Sequence, residues 1–152
     1  MTDQDFVIPQ NMPDIMKDHL LRYLNNGEDG HLWDCVFAGG KGPTPTLLLF
    51  TVGRKSGNKI VTPVIYGNSG DDFVVIASKG GAPDHPNWYL NMQANPEFEI
   101  QVVNDRFKVK ARDASDQERG ALWDMMVDIY PPYADYQEKT SRKIPVVILE
   151  RQ

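Results

Sequence analysis

The sequence predicts an α+β fold: a mainly antiparallel, six-stranded β-barrel with flanking helices, formed as a single domain over residues 1–152. Three observations predict it. The apolar segments fall in the order α-β-β-β-α-β-β-α-β. Consecutive strand segments are joined by tight, Gly- and Asn-containing turns, as antiparallel neighbours require. The strand–helix alternation of a doubly wound parallel sheet is absent, and six strands suffice to close a small barrel.

Residues 1–12 are polar and irregular and read as a flexible arm. Residues 13–26 read as an amphipathic helix, with Ile15, Met16, Leu20, Tyr23 and Leu24 at three- and four-residue spacing and Lys17, Asp18 and Arg22 opposite. Asn25-Asn26-Gly27 ends it. The helix is expected to cover a sheet or a barrel mouth. Weak contact with a membrane surface is the alternative, disfavoured by a polar face that mixes both charge signs. Residues 31–45 form a Gly- and Pro-punctuated connector.

Residues 47–52 make a continuous apolar strand, 53–57 a turn, and 60–66 a returning strand whose Pro63 implies an edge, a bulge or an opening. Residues 67–71 turn again into the strand 73–77. A short helix follows, with Pro86 in its first turn and Asn95-Pro96 at its end. Residues 97–103 and 106–111 alternate as a hairpin around Asn104-Asp105. Ser115 and Glu118 form a capping-box signature ahead of a helix carrying Leu122, Met125, Met126 and Ile129, which Pro131-Pro132 stops. Residues 133–140 add a helical turn or two, and 145–149 a last strand.

Composition excludes several classes. A formal charge of −5 argues against a general nucleic-acid binder. One cysteine, Cys35, excludes an internal disulfide and fits a reducing compartment; it reads as a packed, inert thiol. No apolar run reaches membrane-spanning length and no signal pattern opens the chain, so the cytoplasm is expected, with peripheral contact at the inner membrane face as a variant. His19, His31 and His85 are isolated, so no metal site is expected. P-loop, GxGxxG and GxSxG patterns are absent.

Two constellations carry chemistry. The first joins the break Ser78-Lys79-Gly80-Gly81-Ala82-Pro83 to the tip Gly53-Arg54-Lys55-Ser56-Gly57. A strand running through two glycines toward a helix start leaves backbone N–H groups for an anion, and Arg54, Lys55, Lys59 and Lys79 cluster on turns and strand ends of an acidic chain. The bland reading is a Gly-rich turn with solvated cations. The second is Tyr130, Tyr133 and Tyr136, whose three-residue spacing lines one helix face and suits either a pocket for a flat organic molecule or a packing seam.

The ordered set TVGRKSG, TP, ASKGGAPDHPNWYLNMQANP and IYPPYADYQEKTSRKIPVV resembles the deazaflavin-dependent nitroreductase family of actinobacteria. The resemblance covers residues 47–149. It implies a split β-barrel of the FMN-binding kind and, as cofactor, coenzyme F420, an 8-hydroxy-5-deazaflavin with an anionic tail. It implies that Arg54, Lys55, Lys79 and the amides of Gly80, Gly81 and Ala82 hold the tail. The ring is expected against Pro63, Val64, Ala77 and Ser78, with Trp88 nearby. It further implies that Tyr130, Tyr133 and Tyr136 face the substrate, with Ser78 a donor to it. The chain departs from some members in carrying Ile65 where they have tyrosine, with Tyr66 next and on the opposite strand face. The expected activity is hydride transfer from the reduced deazaflavin to a planar, electron-poor quinone, activated enone or nitroaromatic. The rival readings are an FMN-dependent oxidoreductase on the same barrel and a non-catalytic cofactor- or lipophile-binding protein.

Overall fold

In the computed structural model, which describes residues 5–152, the strands are β1 (Leu32–Asp34), β2 (Pro43–Val52), β3 (Lys59–Ile65), β4 (Gly67–Ser69), β5 (Asp72–Ile76), β6 (Glu97–Val102), β7 (Asp105–Asp113) and β8 (Val146–Arg151). The helices are α1 (Asp14–Asn25), α2 (Gly27–His31), α3 (Asn87–Ala94), α4 (Asp116–Ile129) and α5 (Pro132–Glu138). All strand pairs are antiparallel. From β2 the sheet runs through β6, β7, β8 and β5 to β4, and β3 pairs with β2. Only Tyr66 separates β3 from β4, so the two act as one bent strand and the pairings run full circle.

The expected strands are therefore present, but the described sheet has eight rather than six. β1 lies in the stretch read as a connector and pairs with the start of β2, Trp33 opposite Thr44. β4 lies in the stretch read as a turn. It exists because the bent strand continues past Tyr66 with a glycine where α4 packs against it: a Cβ on Gly67 would lie 2.8 Å from Met126 Sδ. Pro63 sits on β3, opposite Leu48 of β2.

Strands β2, β5 and β8 are buried on both faces, which is why they read as continuous apolar runs, whereas β6 and β7 bury one face and alternate. Leu47, Leu49, Val75, Ile100, Val147 and Leu149 fill the interior. On the outside, Val74, Ile76 and Val146 pack with Met126, Tyr130 and Tyr133 from the α4–α5 region. Elsewhere on the outer face, Leu48, Phe50 and Val61 meet Leu20 and Tyr23 of α1, the sheet-covering role expected for that helix.

Two further corrections concern the first 31 residues. The described part of the arm is docked: Val7 N–H donates to the Lys59 carbonyl (2.7 Å), and Val61 N–H donates back to Val7 (3.1 Å). The outer edge of β3 offers those backbone groups, and Asp5 adds ion pairs to Lys59 and Arg106. Residues 1–4 lie outside the described part. The Asn25-Asn26-Gly27 stop also starts a new helix, because the Asn26 side chain accepts from the amides of Glu28 and Asp29 and caps α2.

Candidate active site

A cleft of about 420 Å³ opens beside the barrel. Strands β3 and β5 supply Thr62, Pro63, Val64, Ile65 and Ile76, and Tyr130, Tyr133 and Tyr136 line it from the α4–α5 region. Met16, His19, Trp33 and Thr46 add a wall from the N-terminal part of the chain. Ser78, Lys79, Gly80, Pro86 and Trp88 complete the lining. A second recess of about 350 Å³, near Phe50, Phe98 and Val109, carries charges that already neutralise each other: Lys59 lies 2.8 Å from Glu99.

The turn after β5 has an uncommon backbone. Lys79, Gly80 and Gly81 all have positive φ (48°, 63° and 84°). Glycine adopts this freely, whereas Lys79 does so at a cost of about 1 kcal/mol. The turn is closed internally: Gly81 N–H donates to the Ser78 carbonyl (3.0 Å) and Ala82 N–H to the Lys79 carbonyl (3.1 Å). The amides of Gly81 and Ala82, expected to face an anion, are therefore already engaged. Helix α3 starts only at Asn87, with Pro86 as its N-cap residue, so the turn does not feed directly into a helix N-terminus.

Arg142 holds this turn from outside. Its guanidinium donates to the carbonyls of Ser78 (2.7 Å), Ala82 (2.8 Å) and Ala77 (3.2 Å) and to Nδ1 of His85 (3.0 Å). Sequence reasoning missed it because nothing local marks a residue whose partners lie 57 to 65 positions away. Ala77 is a second correction: it is fully buried in the barrel interior and does not line the cleft.

The cations occupy two places. Lys79 is exposed and pairs with Asp84 at 3.0 Å. At the β2–β3 tip, Arg54 is tied to α3: its backbone N–H and Nη1 both donate to Asn91 Oδ1 (3.2 and 2.8 Å), and Nη2 reaches Asn87 Oδ1 at 3.4 Å. Lys55 is exposed and has no partner among the described residues. Asn87 is next to Trp88, which lines the cleft, so α3 links the cationic tip to it.

The tyrosines converge without sharing a helix. Tyr130 is the C-cap residue of α4, and Tyr133 and Tyr136 belong to α5; Pro131-Pro132 breaks the single helical face that the spacing suggested. The ring centroids are nevertheless 4.9 to 6.3 Å apart, and the hydroxyls of Tyr130 and Tyr136 are 3.1 Å apart. Burial raises the Tyr130 and Tyr133 pKa values, so both phenols remain protonated donors at neutral pH. The hydroxyls of Ser78 and Tyr133 have no hydrogen-bond partner among the described residues. Ile65 lines the cleft while Tyr66 turns into the barrel and bonds His31 at 2.8 Å, as the alternation of strand faces requires.

A family model for the F420H(2)-dependent quinone reductases matches residues 24–151. The chain belongs to this family. Its relatives include the Mycobacterium tuberculosis H37Rv protein Rv3178, 43% identical over 74% of this chain and 94% of the relative. The F420H(2)-dependent quinone reductase Rv1261c of that strain is 41% identical over 73% and 76%. The solved structure of an F420-H2 dependent reductase, FDR-A, superposes with a TM-score of 0.65 at 42% identity, covering 70% of this chain and 94% of that one. A solved domain-swapped dimer superposes at 0.67 with 37% identity, covering 90% and 98%. The fold is the split barrel that the resemblance implied.

Family membership makes the protein an oxidoreductase with coenzyme F420 as its cofactor. The residues fit that group. An apolar floor at Pro63 and Val64 and an aromatic side chain at Trp88 suit a flat ring. Exposed Lys55 and Lys79, with Arg54, suit an anionic tail. Gly80 leaves open space where a Cβ would stand, at a backbone conformation that favours glycine.

Proposed function

We propose that the protein reduces quinone-type acceptors with F420H2, binding coenzyme and acceptor side by side in the 420 Å³ cleft. The observation that carries this reading is that one cleft holds both the Lys79–Gly80 turn and the three tyrosines. Arg54, Lys55 and Lys79 bind the tail through charge-assisted contacts. Pro63 and Val64 support the ring, Trp88 packs beside it, and the Ser78–Ala82 turn sets its position. When bound, the reduced coenzyme supplies a hydride.

The chain's own part in the reaction is to orient and to donate. Tyr130, Tyr133 and Tyr136 pack against the acceptor ring, and their hydroxyls donate toward the oxygen on which negative charge develops. The Ser78 hydroxyl, which lines the same cleft, shares this task. These donors serve any planar acceptor with a carbonyl or nitro oxygen, so activated enones and nitroaromatics are reduced alongside quinones.

The test is anaerobic titration of the protein with F420 and with FMN, followed by turnover of F420H2 against a simple naphthoquinone. F420 should bind more tightly, and its reduced form should be oxidised only when the quinone is present. Tighter FMN binding would favour the flavin-dependent reading. F420 binding without quinone-dependent oxidation would leave a carrier.

A secondary reading places the protein in the cytoplasm, touching the inner membrane face through α1. Exposed Ile15 and Leu21 support it, and no helix among the described residues is long and apolar enough to cross a membrane. Co-sedimentation with anionic vesicles, abolished by Ile15→Glu and Leu21→Glu, tests it.

A further inference from the structure

The family match begins at residue 24, yet Met16 and His19 of α1 line the cleft. His19 is buried and firmly oriented. Its Nε2 lies 2.8 Å from the Gly30 carbonyl and 3.4 Å from the Thr46 hydroxyl, and its ring stacks on Trp33 at 6.0 Å and 15°. A carbonyl oxygen only accepts, so the hydrogen-bond network assigns the ring proton to Nε2. In the neutral ring Nδ1 is then an acceptor, and it has no partner among the described residues. Burial, helped by the nearby charge of Arg22, lowers the His19 pKa and keeps the ring neutral at pH 7. The neighbouring Thr46 hydroxyl has carbonyl partners of its own, at Gly30 (3.2 Å) and His31 (2.9 Å).

We propose that His19 is a specificity-determining residue of the acceptor site, with Nδ1 accepting a hydrogen bond from a hydroxyl on the bound ring. The inference rests on the quinone-reductase reading above. Quinone oxygens only accept and so cannot bond Nδ1. Reduction turns such an oxygen into a hydroxyl, which donates. His19 therefore favours hydroxylated rings, the quinol product among them, over rings of the same shape without a donor. Because His19 precedes the family match, this preference belongs to the N-terminal helix of this chain.

Two substitutions separate this role from a structural one. His19→Gln keeps a donor near the Nε2 position and loses the Nδ1 acceptor; His19→Asn keeps an acceptor near Nδ1 and loses the bond to Gly30. Protein loaded with F420H2 is titrated anaerobically by calorimetry with 1,4-dihydroxynaphthalene and with 1,4-dimethoxynaphthalene, which has no donor. The wild type should prefer the diol. In His19→Gln that preference should fall by roughly fivefold, the size of one neutral hydrogen bond, with melting temperature and F420 affinity close to wild type. His19→Asn should melt earlier and keep the preference. An unchanged preference in His19→Gln overturns the proposal and reduces His19 to a bracket for Gly30. A wild type that binds F420H2 but neither naphthalene overturns the quinone reading together with this one.

Discussion

The Arg142 guanidinium donates to the Ser78 carbonyl at 2.7 Å and to the Ala82 carbonyl at 2.8 Å, so one side chain grips both ends of the turn carrying Lys79, Gly80 and Gly81. Arginine suits this task because its donors form a rigid planar fork. The grip offsets the cost of holding Lys79 in a left-handed conformation and fixes the backbone that carries the Ser78 hydroxyl.

Arg142→Lys keeps the charge and loses the fork. F420 affinity should fall by about tenfold, equivalent to one charge-assisted hydrogen bond of roughly 1.5 kcal/mol. Hydrogen exchange of residues 77–82 should speed up. Arg142→Ala should be worse, with partial recovery on adding guanidinium at concentrations too low to denature. Unchanged exchange in Arg142→Lys would show that the turn holds its shape without the fork.

The two glycines of the turn should respond differently. A Cβ on Gly80 meets nothing within 4 Å, so Gly80→Ala faces only the left-handed backbone cost of about 1 kcal/mol. A Cβ on Gly81 would sit 2.7 Å from the Tyr136 carbonyl, pushing the turn away from α5. Gly81→Ala should therefore damage stability and turnover far more than Gly80→Ala. Equal melting temperatures would contradict this contact.

The barrel was legible in the sequence because β2, β5 and β8 are buried on both faces and read as apolar runs, β6 and β7 bury one face and alternate, and the hairpins are punctuated by Gly, Asn and Asp. The capping box was legible because it is local: the Ser115 side chain accepts from Glu118 N–H, as the four-residue motif indicates. What escaped was tertiary or too short for periodicity. β1 and β4 have three residues each, and no alternation can be read in three. The docking of Val7 depends on an open edge of β3, and Arg142 and His19 act on partners distant in the chain. The tyrosines were found by their spacing, although they meet across a helix break and not along one helix.

Lys55 and Lys79 should show their part in tail binding through salt. Lys55→Ala with Lys79→Ala should weaken F420 binding by about 1.5–3 kcal/mol for each lost contact, nearer the lower figure because both are exposed. Added salt should then weaken the double variant less than the wild type. Asp84→Asn should act in the opposite direction, because it frees Lys79 from its 3.0 Å ion pair. Tighter F420 binding by Asp84→Asn at low salt is the expected reading, and no change would remove Lys79 from the tail site.

Phenylalanine at Tyr130, Tyr133 or Tyr136 keeps the packing and deletes a hydroxyl. Tyr133→Phe breaks no hydrogen bond among the described residues, so its melting temperature should match wild type. A fall in kcat at saturating quinone would assign the Tyr133 hydroxyl to the reaction, whereas a raised KM alone would assign it to binding. Tyr130→Phe also removes the 3.1 Å contact with Tyr136, so its effect should not add to that of Tyr136→Phe. If the three variants keep wild-type kinetics, the hydroxyls have no part in turnover.

Acid should loosen the molecule in a window set by its histidines. His19, His31 and His85 all have pKa values lowered from 6.5, in each case chiefly by burial; Arg22 adds to the effect at His19 and Arg142 at His85. Each therefore binds protons more readily in the unfolded chain than in the folded one. Stability should be level above the unfolded value and fall as pH drops from about 6.5 toward the lower folded values. At His85 there is a local consequence. Its Nδ1 accepts from Arg142 at 3.0 Å, and protonation would place a second cation and a donor where an acceptor is needed, loosening the grip on the Ser78–Ala82 turn. Urea midpoints measured from pH 8 to pH 5 should decline through this window, before carboxylate protonation contributes. His85→Asn should remove part of the decline, and in the wild type F420 affinity should drop over the same range more steeply than in the variant. If the His85→Asn affinity profile follows that of the wild type, the drop does not arise from the turn.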